Sequence, residues 1–218
     1  MKRILPFSFF SICAIFLLGF NVSCTRAEGS GKITTEKRPL SGFTGIEVEG
    51  AFEVEVSQSD SYSVEVSTDD DVLPKVITHV DGEVLKIEKH ETDLFNSPTV
   101  HIKISLPALS ALELHGASHG IAKNIKADKL NLEVSGASKL LVSGHVSDLH
   151  SEVKGASKLD AKELIAGNAE VECLGASNAF VHANTSLRIT AAGASKVVYS
   201  GTAKVTEESS GASSIAQD

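Results

Sequence analysis

The sequence predicts an all-β fold, a single-stranded parallel β-helix or solenoid joined to a β-rich N-terminal lobe. Three observations carry this reading. The tripeptide Gly-Ala-Ser occurs six times, beginning at Gly116, Gly136, Gly155, Gly175, Gly193 and Gly211. Successive copies lie 20, 19, 20, 18 and 18 residues apart, a short regular period of the kind that repeat architectures show. The residues before each glycine alternate apolar and polar with period two, as in a half-buried strand.

The alternation is explicit when the copies are aligned on glycine. Two residues before it stand Leu114, Val134, Val153, Cys173, Ala191 and Ser209. Four before stand Leu112, Leu132, Ser151, Val171, Ile189 and Glu207. Three before, on the opposite face, stand Glu113, Glu133, Glu152, Glu172, Thr190 and Glu208. The last copy matches least well, as terminal repeats do. Stacked coils would place equivalent residues about 4.8 Å apart. Glycine then serves a corner that needs positive φ or close backbone approach. Alanine is expected where coils narrow, and serine is expected to hydrogen-bond within the turn or to the next serine. The chirality of parallel crossovers gives a right-handed coil as the expectation.

At the N-terminus, Lys2 and Arg3 precede an uncharged run from Ile4 to Phe20, followed by Asn21-Val22-Ser23-Cys24. This reads as a lipoprotein-type signal peptide over 1–23, with Cys24 as the lipidated first residue of the mature chain. Asn21 stands where an aliphatic residue is usual, so cleavage nearby by an ordinary signal peptidase, or retention as an uncleaved anchor, are the alternatives. Residues 24–32 are small, polar and glycine-rich, a flexible tether. A single β domain is expected over 33–218, divided into an N-terminal lobe at 33–106 and repeat coils at 107–218.

Within the first lobe, Ile46-Glu47-Val48, Phe52 to Val56, Tyr62 to Val66, Val84 to Ile87 and Val100 to Ile104 read as strands. Asp81-Gly82 is a turn signal, and Val72 to Lys75 a single helical turn. Ile46-Glu47-Val48-Glu49-Gly50-Ala51-Phe52 is a degenerate copy of the repeat, so this lobe is expected to contribute a rung and to share one core with the coils.

The stretch Gly42-Phe43-Thr44-Gly45-Ile46-Glu47-Val48, the Gly-Ala-Phe after it, the strand at Tyr62 to Val66 and the serial Gly-Ala-Ser copies together resemble a family of bacterial exported proteins. It is the family described as putative auto-transporter adhesin, head GIN domain. The resemblance runs from about Pro39 to Ser214. It implies a β-helix-like fold and a place in the cell envelope, typically as a lipoprotein of Bacteroidetes-type bacteria. It supplies no catalytic residues to carry over.

Composition narrows the function. The chain carries 20 basic and 28 acidic residues, net −8. Losing Lys2 and Arg3 with the signal leaves 18 basic against 28 acidic, net −10. This disfavours nucleic acid and direct electrostatic binding to an anionic membrane surface, leaving the lipid as the membrane attachment. With one of its three cysteines in the signal and one at position 24, the mature domain keeps only Cys173, expected in the inward stack. There is no Trp and there are two Tyr, few rings for stacking on sugars.

The stacked Glu113, Glu133, Glu152 and Glu172, with Glu208, are the only metal candidates, a line of carboxylates of the kind Ca²⁺ takes. Neighbouring charges at about 4.8 Å in water repel by about 0.9 kcal/mol, which splaying reduces. A solvated face without metal is the expectation, with Lys139, Lys158 and Lys196, each directly after a repeat serine, available to relieve the charge. Those Ser-Lys pairs suggest a hydrolase dyad, but adjacent strand residues face opposite ways. His115 and His119 lack the shared face a helix would give them. No cofactor is expected. The reading is a non-enzymatic, binding or adhesin-like lipoprotein of the cell envelope, at the outer rather than the inner membrane, facing the periplasm or the cell surface. A glycan-active β-helix enzyme and a purely structural envelope component are the alternatives. A glycan, or a protein or second copy meeting the C-terminal end of the solenoid near Gly211, are the expected partners.

Overall fold

The computed structural model describes residues 29–89 and 98–218. The signal stretch and Cys24 lie outside the described residues. The N-terminal lobe holds β1 (Ile33–Arg38), β2 (Gly45–Gly50), β3 (Phe52–Gln58), β4 (Ser63–Asp69), β5 (Val76–Asp81), β6 (Val84–Lys89) and β7 (Val100–Leu106). The coils hold β8 (Ala111–Gly116), β9 (His119–Val134), β10 (Lys139–Val153), β11 (Lys158–Gly175), β12 (Asn178–Gly193), β13 (Lys196–Ser200), β14 (Lys204–Ser209) and β15 (Ser214–Gln217). The chain is nearly all β, with a solenoid of about 5 turns. The five strand segments expected in the first lobe are all present, and Leu73–Lys75 is a single 3-10 turn. The short β1 and β5, with little alternation, were not anticipated.

Two walls meet at the Gly-Ala-Ser corner. The wall before the corner stacks β5, β6, β2, β8 and the C-terminal parts of β9 to β12, then β14. The wall after it stacks β1, β4, β7, β3 and the N-terminal parts of β9 to β12, then β13 and β15. Every pairing is parallel except β1–β4, β4–β7 and β5–β6, which close the N-terminal end of the stack with antiparallel strands. The degenerate copy is a true rung: β2 pairs with β8, Gly50 opposite Gly116, and β3 pairs with β9.

Each coil is more continuous than the sequence pattern suggests. The strand before the corner is only its last part. Leu140 and Val142, Leu159 and Ala161, Ala179 and Val181 also point inward just after the corner. The chain bends at register breaks such as Val142/Gly144. At Gly144, φ is 142°, and a Cβ would stand 2.0 Å from the Ile125 carbonyl oxygen, so only glycine lets the backbones pass. One hydrophobic cluster runs from Phe43 in the first lobe to Val197 in the last full coil. It includes the expected inward columns, with Leu114, Val134, Val153 and Cys173 all fully buried.

At the C-terminal end, β14 and β15 each have one ladder neighbour, β12 and β13. In β14 two inward positions turn polar, Glu207 continuing the column of Val171 and Ile189 and Ser209 that of Cys173 and Ala191, while Val205 and, in β15, Ile215 stay apolar. Polar groups aimed inward are what natural edges use against strand addition.

Candidate functional site

The repeat motif itself is structural. Corner by corner, the alanine N–H donates to the glycine carbonyl one rung earlier, as from Ala137 to Gly116 at 2.7 Å and from Ala176 to Gly155 at 2.8 Å. The alanines are exposed at the corner rather than packed where the coil narrows. The serines turn in: Ser118, Ser138, Ser157 and Ser177 are fully buried. Ser157 donates to the Val134 carbonyl at 2.7 Å, Ser177 to Val153 at 2.9 Å and Ser195 to Cys173 at 3.1 Å. Phe52 takes the serine place in the degenerate copy, and Ser118 Oγ spans that corner, donating to the Gly50 carbonyl and accepting from the Phe52 N–H. A serine whose proton is committed to a buried carbonyl is no nucleophile, and the following lysines lie on the other face.

Glutamates form an outward column before the corner, in register from Glu47 through Glu113, Glu133 and Glu152 to Glu172, with Thr190 and Glu208 beyond. Glu47, in the degenerate copy, extends the column by one rung. Relief of its charge comes from neighbours on the same wall, not from the lysines after the serines, which stand on the other wall. Lys154 reaches both Glu133, at 3.3 Å, and Glu152. Lys86 caps the column at Glu47, 3.3 Å away, and His115 and His150 lie beside Glu113 and Glu152. The Lys154 ammonium holds the Glu152 carboxyl below the ordinary carboxylate range, and the same contact raises Lys154. Among the described residues, no group of three or more His, Cys, Asp or Glu is placed to hold a metal ion.

Cys173 is fully buried in the inward stack. Burial pushes its thiol up to about 11, so it stays protonated at neutral pH and is inert. His119 meets Glu53 at 3.2 Å while His115 meets Ser135 at 2.7 Å, so the two histidines serve different neighbours.

Sequence reasoning did not find the groove along the wall before the corner, about 610 Å³ in volume. Two adjacent outward columns line it. One is Lys129, Asp148, Asn168, Ser186 and Lys204; the other is Asn131, His150, Glu170, Arg188 and Thr206. The first is a hydrogen-bonded ladder: the Asn168 amide donates to Asp148 at 2.9 Å, and Ser186 donates to Asn168 at 2.7 Å. In the second, His150 stands 3.5 Å from Glu170. No Phe, Tyr or Trp lines the groove. The available signal is polar residues five and seven places before each repeat glycine from Gly136 to Gly211, but their types vary from rung to rung.

The comparisons with known proteins follow the fold. A family model described as putative auto-transporter adhesin, head GIN domain, matches residues 42–203. The chain belongs to this family. The head GIN fold is shared with a putative adhesin from Bacteroides fragilis at a TM-score of 0.69 and 16% identity, over 87% of this chain and 98% of that one. A putative adhesin from Parabacteroides merdae matches at 0.56 and 18% over the same shares, 87% and 98%. A protein of Parabacteroides distasonis described as a putative lipid binding protein matches at 0.50 and 21%, again over 87% and 98%. At these identities the likeness is one of fold. Among proteins of curated function, none matches the sequence.

Proposed function

We propose that this head GIN protein is an exported, lipid-anchored component of the cell envelope that binds a ligand without transforming it. The adhesin description of its family supports an exported or surface setting. Attachment is assigned to lipid on Cys24 from the sequence pattern at Asn21-Val22-Ser23-Cys24.

The observation that carries the binding role is the groove. Its two columns present amide, hydroxyl, imidazole and guanidinium groups at one set per rung, repeating about every 4.8 Å along the solenoid axis. Such a lining suits an extended ligand rich in hydroxyl groups, a glycan strand, held by hydrogen bonds rather than ring stacking. Its carboxylates are engaged by neighbours, Asp148 by Asn168 and Glu170 by His150.

A glycan array probed with the chain from residue 24 onward, Cys24 replaced by Ser, tests the reading. The expected result is retention of a hydroxyl-rich glycan. Retention should weaken about tenfold in Arg188→Ala, from loss of one or two direct hydrogen bonds. Release of shortened products from the same glycans would establish an enzyme instead. An array with no retained glycan would remove the groove as the binding site.

A further inference from the structure

The net charge of the chain conceals a segregation around the coil. Most outward glutamates gather before the corner; after it, Glu53, Glu55 and Glu65 stand in the N-terminal lobe, and the outward face of the coils from β9 to β13 is mainly basic and apolar. Lys139, Lys158 and Lys196 stand in one column there, with Asn178 between the last two. Toward the N-terminal lobe the lysine column continues through His119 to Glu53; the adjacent column runs Glu55, Ile121, Leu141, Asp160, Phe180 and Val198. Ile121 and Leu141 are stacked neighbours, 40% and 42% exposed, in a chain whose other outward positions are mostly polar. Lys158 and Lys162 both lie over the outward Phe180 ring, each 4.9 Å from its centre. Lys158 also meets Asp160 at 3.5 Å and Lys162 meets Asp218 at 3.2 Å. Among the described residues, no carboxylate is paired with Lys139 or Lys196.

We propose that this face docks on an anionic bilayer, its lysines on lipid phosphates and Ile121, Leu141 and Phe180 at the acyl boundary. Lysines alone would suit any polyanion. Exposed aliphatic side chains between them suit a surface that offers phosphate and hydrocarbon together. The topology agrees. The described chain enters the fold through β1, at the edge of this same wall, only four strand spacings from β9. That is about 19 Å; Ser30 and Gly31 are held by Asp69, Asp70 and Asp71, so the stretch left to span it is residues 24–29, with a reach of about 20 Å. On the anchored reading proposed above, a lipid on Cys24 lets the coil part of this wall, β9 to β13, lie on the membrane while the groove, on the other wall, faces away. Two attachments, one covalent and one electrostatic, make a stable membrane association where one acyl chain is marginal.

Cosedimentation of the chain from residue 24 onward, carrying Cys24→Ser, with phosphatidylglycerol–phosphatidylcholine vesicles is the test. Binding is expected to the mixed vesicles, to fall with added salt, and to be absent on phosphatidylcholine alone. The pair Lys139→Gln with Lys196→Gln should weaken it about thirtyfold, at about fivefold per lysine near an anionic surface. Leu141→Ser should weaken it as well, with the circular dichroism melt unchanged. Lys154→Gln, on the glutamate wall, should leave it intact. Equal binding to both vesicle types, no binding, or full binding by the lysine pair variant would overturn the proposal. So would self-association of the unlipidated chain through this face, seen by light scattering without vesicles. Failure on vesicles, with Cys24 still required for membrane attachment in cells, sinks the docking face alone; loss of the Cys24 requirement, with vesicle binding kept, sinks the anchored reading alone.

Discussion

Gly136→Ala is expected to destabilise the fold by about 2–5 kcal/mol, more than any single substitution on the outer faces. Gly136 has φ 75°, and a Cβ there would stand 2.3 Å from the Gly116 carbonyl oxygen. The left-handed backbone costs an L residue about 1–2 kcal/mol, and overpacking adds about 1–3 kcal/mol. The strain has no local escape. The carbonyl in the way is the acceptor for the Ala137 N–H at 2.7 Å, so moving it breaks the bond that joins the two corners. The Gly136 carbonyl in turn accepts from Ala156 at 2.8 Å, which ties the next rung to the same position. Urea denaturation reads the change. Ala137→Ser, one residue on and exposed, should stay within about 0.5 kcal/mol. Equal, small effects at both positions would mean that the corner is not a close-packed backbone column.

Leu140 and Leu141 provide the second large contrast, because they are adjacent and face opposite ways. Leu140 is 2% exposed and Leu141 42%. Leu140 packs in the inward column between Gly120 and Leu159. Leu140→Ala should cost about 2–5 kcal/mol, the transfer of the lost methyl groups plus the cavity left in a stack that cannot collapse along its axis. The same change at Leu141 should cost less than about 1 kcal/mol. If the two variants melt alike, the register on this wall is wrong by one residue and the docking face with it, since a single slip exchanges inside and outside.

Much of the fold was legible because the corner imposes a chemical requirement at a fixed period. Glycine is needed for the backbone column and serine for the buried bond to the preceding rung. The strand leading to that corner alternates cleanly, as in Leu112, Leu114, Leu132 and Val134. The second bend of the coil has a weaker signature. Six residues after the repeat serine stand Asn124, Gly144 and Gly201, all with positive φ, but Glu163 and Ala183 take that place in the two coils between. Without the bend, residues cannot be assigned to walls, so a net charge of −8 looked like a uniform property. The lysine column was visible as a period, yet it was expected to relieve the glutamates, from which the coil separates it. The groove was hidden for the same reason: Asp148, Asn168 and Ser186 become one ladder only when rungs are stacked, and no residue type repeats among them.

Residues 1–28 carry the claim on which location depends, and it rests on the sequence pattern at Ser23-Cys24. The most direct measurement is surface accessibility in the native cell, by protease shaving and antibody labelling, with Cys24→Ala alongside. The account predicts that the wild-type chain fractionates with the membrane and is reached from outside intact cells, and that Cys24→Ala releases it from the membrane. A chain shielded from protease and antibody, or one that stays in the membrane without Cys24, would contradict it.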